Sequence, residues 1–493
     1  MNAKRPPKRH LAVVGRFDSA DHGPEAARHY RNADYLAADS ALNESVRQTI
    51  ISRARYECAN NGYADGILQT LADAAIGTGP RLQLFVADTA DESLDETVRK
   101  NLQRREMRWR QWTEAVGLTS KLKIARITKA RDGEVFFRIG RNPKLKTHVK
   151  FTVTLYESEQ VGDCINASLN PEFYDNGQLK HYDGVSYDEY GNPTKYRFWK
   201  IHPGENGYLI ASDSAEEFSA EYVIHYAHIM RPGQHRGLSE IASTLNIFND
   251  LRRFTNATLA AAEIAAEISF LLSTDLEPES SGSAQNGGGL QFMDTIDLVR
   301  GAGLALPEGW KANQMKAEHP TQTYDAFVDA KLSEAARPLS MPFNVAKGNS
   351  SSYNYASGRL DFQSYFKKIF AERGEIEKTI LNRLLELFEK IDREAFPNDY
   401  RHENDILHTW TWDGFEHVDP VKEATAQEKR INNCVSTLAD ECAREGKDYK
   451  SVLRQRKREI EMMKRLGLTT QNTTQNFNDP DTDADTGDED GNE

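Results

Sequence analysis

No stretch of the sequence approaches the roughly 20 consecutive apolar residues that a bilayer-spanning helix needs, and the first ten residues, MNAKRPPKRH, lead into no apolar signal region. Membrane insertion, a membrane partner and secretion are therefore not expected. Cysteine is scarce. Cys58, Cys164, Cys434 and Cys442 form no C-x-x-C pair and no zinc-ligand spacing, which points to buried, reduced thiols in an intracellular setting. The G-x-x-x-x-G-K-[ST] phosphate loop of an ATP-driven motor is missing, the GTG at residues 77–79 is too short for a dinucleotide fingerprint, and no G-x-S-x-G occurs. Positive charge is also in deficit: 62 Lys and Arg face 75 Asp and Glu, a net charge of −13. A chain that gripped DNA phosphates over its whole surface would normally be basic, so tight global DNA binding is disfavoured.

What is present is length, polarity and helix. At 493 residues the chain exceeds the size at which single cores stop growing, and more than one domain is expected. Residues 1–45 read as a basic, partly disordered arm. NESVRQTIISRARYECANNG and YADGILQTLADAAIG read as two helices parted at Asn60-Asn61-Gly62, with Gly77 closing the second. RLQLFV reads as a strand, and ESLDETVRKNLQRREMRWRQWTEAVG as a helix. Between about Gly133 and Met230, β-branched and aromatic segments punctuated by Asp-Gly and Gly191-Asn192-Pro193 predict an antiparallel module.

From Ser239, a candidate cap, to Leu272 the composition favours one helix about 50 Å long. A Gly-rich loop and the short strand candidates LQFMDTIDLV and GLALP follow. A helix over residues 321–337 stops at Pro338, MPFNVAKGNSSSYNYASGR is expected to be a mobile loop, and residues 360–391 keep one apolar face, with Gly374 as a possible bend. Asp419-Pro420 opens a helix that Gly446 ends, and KDYKSVLRQRKREIEMMKRLG completes a hairpin. Past Leu468 the tail holds eight acidic residues and no Lys or Arg, and reads as disordered.

Sites of chemistry are few. His225 and His228 in HYAH are three apart, but the surrounding alternation is that of a strand, which sends them to opposite faces. DTDADTGDED lacks the Gly and Glu that a calcium loop needs at its sixth and twelfth positions. Two basic stretches could contact nucleic acid: Arg104, Arg105, Arg108 and Arg110 beside Trp109 and Trp112, and Lys121, Lys123, Arg126, Lys129 and Arg131. The plainer reading is that these cations solvate the outer faces of helices. No metal ligand set, cofactor or catalytic residue is identified.

One element stands apart: RPGQHRG, residues 231–237, a turn-forming stretch that feeds directly into the long helix. With SRARYECANNGYA, IGTG, GEVFFRI, LYESEQV, DGVSYDEYGNPTKYRFW, LPEGW, HPTQTYDAF, MPFNVAKGNSSSYNYASGR and VDPVKEATAQ in order, it makes the chain resemble the lambda-type portal proteins of tailed bacteriophages from about Ser52 to Leu468. In the loop, Ala356 stands where the family tends to have Ser.

The resemblance implies a mixed α+β, mainly helical portal fold: a wing (46–238), a stem helix (239–272), a clip (273–318), a second stem helix (319–338), a tunnel loop (339–359), a long wing helix (360–400) and a crown (401–468). It implies no enzyme and no cofactor. About twelve copies would form a homo-oligomeric ring that threads double-stranded DNA without reading its sequence, at the capsid vertex of the virion after assembly in the host cytoplasm. The implied partners are the terminase large subunit, the major capsid protein and scaffold, and head–tail adaptor proteins. Lys347, Asn354, Tyr355 and Arg359 are then candidates for contact with DNA or a neighbouring chain. Glu263 and Glu267, one turn apart, are candidates for the channel face. Arg231, Pro232, Gly233, Gln234, Arg236 and Gly237 are expected to form the corner between β module and channel wall. The competing readings are a head–tail adaptor ring and a metal-dependent nuclease.

Overall fold

The computed structural model describes residues 23–86, 96–163, 174–175, 178–205, 215–267, 271–274, 310–313, 323–351, 355–400, 406–415, 420–447 and 449–468. The short helices α1 (Pro24–His29) and α2 (Ala38–Ala41) precede the pair α3 (Glu44–Asn60) and α4 (Gly62–Ile76). Asn43 caps α3 by accepting from Val46 N at 3.1 Å. Asn61 serves both helices: its N–H donates to Glu57 O, and its side chain accepts from Tyr63 N. Beyond Gly77, whose φ is +56°, come β1 (Arg81–Val86), α5 (Glu96–Val116) and α6 (Leu118–Asp132). Leu68, Leu71 and Ile76 of α4 pack with Trp109 and Trp112 of α5 and Leu122 of α6 in the main core, and Trp112 keeps its indole N–H paired by donating to Phe151 O at 3.0 Å.

The β module follows as β2 (Glu134–Arg141), β3 (Phe151–Tyr156), β4 (Tyr174–Asp175), β5 (Gln178–Leu179), β6 (His181–Tyr182), β7 (Val185–Tyr187), β8 (Pro193–Trp199), β9 (Ala215–Ser219) and β10 (Val223–Ala227). Its described strands pair antiparallel in the orders β10-β2-β3 and β6-β7-β8-β9, with β4-β5 as a separate ladder. Strand β2 lies between two cores because its side chains alternate. Val135, Phe137 and Ile139 face the main core, and Phe136 joins Val161, Val185, Tyr196, Phe198 and Val223 in a second one.

The chain then forms α7 (Leu245–Glu267), β11 (Leu271–Thr274) paired with β12 (Trp310–Asn313), α8 (Thr323–Ala336), α9 (Phe343–Lys347), α10 (Tyr355–Ile376), a π-helical segment (Glu377–Leu381) and α11 (Asn382–Ala395). Ile369, Ile376, Ile380 and Leu384 carry this last rod through the main core. Strand β13 (Ile406–Thr411) returns to pair with β1, Trp410 opposite Leu82, and α12 (Pro420–Asn432), α13 (Leu438–Arg444) and α14 (Tyr449–Leu466) end the described chain.

Several expectations are corrected. The long helix starts at Leu245 rather than Ser239, after a 3-10 turn at Ala242–Thr244. Ser239 is buried and its hydroxyl donates to Ala130 O at 3.1 Å, so it is used to hold the corner and caps nothing. The helix gives way to β11 by Leu271, where the ladder with β12 supplies the backbone partners. The expected loop over 339–359 contains α9 and the start of α10, because Phe343 packs against the cluster of Leu251, Val328 and Leu332 and draws its neighbours into helix. The irregularity expected at Gly374 is the π-helical segment three residues on. The range expected as crown contains β13, a partner of β1. The final hairpin is three helices, broken at residues 433–436 and restarted by a capping box between Thr437 and Asp440. The clip strands expected over 290–299 and 303–307, the acidic tail and the first 22 residues of the arm lie outside the described residues.

Candidate functional site: the corner and the paired rods

The corner begins as a hydrogen-bonded turn. Gln234 N donates to Arg231 O at 3.2 Å, Pro232 occupies its second position and Gly233, at φ +74°, its third. The Gln234 side chain fastens the turn by accepting from the N–H groups of Met230 and Arg231 and donating to Arg236 O at 2.7 Å. Arg231 reaches outward to the arm and donates to Leu36 O at 2.9 Å, and His235 pairs through N–H and Nδ1 with the Asp39 carboxylate. The arm is thus pinned to the corner from residue 36 onward.

Arg236 points the other way, into a site where it is 1% exposed. Its guanidinium donates to Glu134 Oε1, to the carbonyls of Ser158, Val161 and Asp183, and lies 2.8 Å from the Asp183 carboxylate. Glu134 also receives Gly237 N at 2.7 Å and His225 Nε2 at 2.8 Å. Burial by itself would raise the Glu134 carboxyl, but Arg236 and His225 overcome it and hold the group well below the usual carboxylate range. Burial likewise opposes the charge on Arg236, and Asp183 and Glu134 reverse that effect. Arg47 of α3 adds a second guanidinium 2.5 Å from Asp183. The corner closes by backbone contact: a Cβ on Gly237 would lie 2.2 Å from Gly133 O, and one on Gly133, at φ +97°, 2.6 Å from Leu238 C. Two glycines from distant segments are therefore required where the chain leaves the sheet. Glu134 and Asp183, which complete this site, were not singled out in the sequence, since nothing local marks a partner 102 residues from Arg236.

Beyond the corner, α7 and α8 pack through Leu251, Val328 and Leu332, with Phe254 stacked on Tyr324 and tilted against Phe327. From Arg253 to Ile264 no side chain of α7 is buried, and Leu259 and Ile264 are 59% and 54% exposed. Glu263 is exposed, and the side chain of Glu267 lies outside the described residues. Lys347, at the end of α9, donates to Asp329 Oδ1 of α8 at 2.6 Å, and that hydrogen bond raises its pKa. It also lines a cleft of about 570 Å³ with Asn61, Tyr63, Arg252 and Asn256. Tyr355 lies in α10, as does Arg359, but the side chains of both, and all of Asn354, lie outside the described residues. Lys347 is thus the one tunnel-loop candidate whose contacts are described, and they are internal.

The two basic stretches are likewise engaged inside the chain. Arg104 and Arg108 pair with Asp399, Arg108 also with Asp392, Arg105 with Glu389 and Arg110 with Glu114. Lys121 donates to Val153 O, while Lys123 pairs with Asp73, Arg126 with Glu240, Lys129 with Glu372 and Glu375, and Arg131 with Asp132. Most of them tie elements together; Arg110 makes only an exposed pair along its own helix. His225 and His228 do not converge, the second donating from Nδ1 to Leu238 O at 2.8 Å. Glu157, Glu159 and His202 bring three possible metal-ligand atoms together, but Arg55 already pairs with both carboxylates.

The model of the lambda family of phage portal proteins matches residues 27–373, from the arm through the corner and both rods into α10. The chain belongs to that family. A relative from Halomonas phage phiHAP-1, described as a probable portal protein, is 24% identical over 440 residues, covering 85% of this portal chain and 82% of its own length. Among solved structures, a chain of the virion of a native gene transfer agent particle has a TM-score of 0.40 at 14% identity, with 78% of this chain and 88% of its own covered. An HK97 family phage portal protein from Corynebacterium diphtheriae has a TM-score of 0.25 at 11% identity, covering 78% and 97%. The family match includes every part of the portal's corner, and ends before α11 to α14.

Proposed function

We propose that about twelve copies of this portal chain close into a ring around a channel for double-stranded DNA, which passes during packaging and ejection at one capsid vertex of the virion. The observation that carries the reading is α7, a helix that leaves the core after Leu251 with Leu259 and Ile264 turned to solvent. An isolated chain gains nothing by exposing such a rod, whereas a head-to-tail ring covers it with the same surface of the next copy. In this reading α7 and α8 are the stem, residues 273–318 the clip that receives the terminase large subunit, and residues 339–359 the tunnel segment. The wing meets the major capsid protein and scaffold, and head–tail adaptor proteins bind after packaging. The role is architectural, needs no cofactor, and is carried out by a chain assembled in the host cytoplasm.

Mass photometry and negative-stain imaging of the purified chain test the ring. Particles of about twelve subunits with a central hole are expected, and a monomer at every concentration would overturn the reading.

A further inference from the structure

We propose that the acidic tail, residues 469–493, is a tethered cover for a cationic stripe on α14, holding that stripe away from duplex DNA until a stronger polyanion displaces it. Helix α14 is basic within a chain of net charge −13. Arg454, Arg458 and Arg465 share one face at steps of four and seven residues. All three are exposed, and none pairs with a carboxylate among the described residues. Arg456 and Lys457 lie 3.7 and 4.0 Å from Glu459 and Glu461 along the helix, leaving Lys464 beside the stripe as a further cation without a carboxylate partner among the described residues.

The sequence of the tail complements this face in sign, order and spacing. Residues 469–478, TTQNTTQNFN, carry no charge, and all eight acidic residues of the tail lie in 479–493. Asp479, Asp481, Asp483 and Asp485 alternate, so an extended strand would turn them to one side about 6.6 Å apart. Arginines four apart on a helix are separated by about 6 Å along its axis, so carboxylates and guanidiniums can meet in register.

The tether also has the right reach. Helix α14 ends with Leu468 N donating to Met463 O, with Gly467 at φ +69°, a closing turn that breaks the helical direction. Eleven residues from Leu468 to Asp479 span at most about 36 Å, against about 16 Å of helix between Arg454 and Arg465. A ligand tethered to its own site acts at an effective concentration on the order of millimolar, so DNA must outcompete it by density of charge.

The test measures binding of a fluorescein-labelled duplex of random sequence by anisotropy at low salt, where phosphate contacts are strongest. The full chain is compared with a chain ending at Leu468, each with and without Arg454→Ala, Arg458→Ala and Arg465→Ala together. Removing the tail is expected to tighten binding at least about tenfold, and the triple substitution to abolish that gain while leaving the full chain's weak binding unchanged. The Asp479→Asn, Asp481→Asn, Asp483→Asn and Asp485→Asn chain should reproduce most of the gain without shortening the protein.

Equal affinity with and without the tail overturns the proposal. So does a gain that survives the triple substitution, since the tail would then act by its charge elsewhere. The substituted residues lie on an exposed helix face, and unchanged thermal melting confirms that the comparison is between folded chains. The readout needs no ring, so its failure is separate from failure of the channel reading.

Discussion

At the scale of the residue, the corner depends on Arg236 and on the approach of Gly237 to Gly133. A buried arginine that meets two carboxylates and three carbonyls cannot be replaced without stranding its partners. Arg236→Met is expected to cost about 3–5 kcal/mol, the range for breaking one side of a buried ion pair, measured as a fall in the urea midpoint of the purified chain. The two glycines of the turn separate conformational from steric demands. At Gly233 a Cβ meets nothing within 4 Å, so Gly233→Ala should cost about 1 kcal/mol through its positive φ alone. At Gly237 the Cβ would collide with the Gly133 backbone, and Gly237→Ala should be several-fold more damaging in the same urea titration. RPGQHRG was legible as a turn because Pro fixes φ and Gly admits positive φ, and its place as a corner was what the family resemblance implied. The sequence could not show Glu134 or Asp183, whose approach to Arg236 exists only once β2 and the β6-β7 turn have folded around it.

At the scale of the element, ion pairs join helices whose cations looked available for nucleic acid. Arg126 and Lys129 of α6 meet Glu240 and Glu372, and Tyr226 of β10 donates to the same Glu372. Burial would raise the Glu372 carboxyl, but Arg126 and Lys129 bring it to about 2. A carboxylate whose folded pKa lies below its unfolded one stabilises the fold above the unfolded value, and loses that contribution as pH falls toward the folded value. The melting temperature should therefore drop between about pH 4.5 and pH 2, and Glu372→Gln should flatten that part of the profile; an unchanged slope would place the acid sensitivity elsewhere. Helices α3 to α5 were legible from stop signals and composition because those signals are local. The start of α7 at Leu245, helix α9 and the π-helical segment were not, since tertiary contacts of Ser239, Phe343 and Ile380 override the local composition.

At the scale of the whole molecule, the exposed face of α7 has consequences only in an assembly. Leu259→Asp together with Ile264→Asp should leave the monomer's melting temperature nearly unchanged and shift mass photometry from rings to monomers, because these side chains touch no core. Glu263→Lys with Glu267→Lys should slow or stall DNA passage in a packaging assay if the stem glutamates face the channel, where attraction replaces repulsion. Normal packaging would place them between neighbouring stems. The sequence by itself determined the coarse succession of helical and β segments, the missing motor and nucleophile motifs, the family resemblance and the charge of the tail, because composition, spacing and backbone habit are properties of the chain. Only the tertiary structure decided that most cations of the two basic stretches tie distant elements together, that β13 returns to β1, and that Arg236 is locked between β2 and the β6-β7 turn. Those outcomes depend on which distant groups burial brings within a few ångströms, and a separation along the chain carries no record of that.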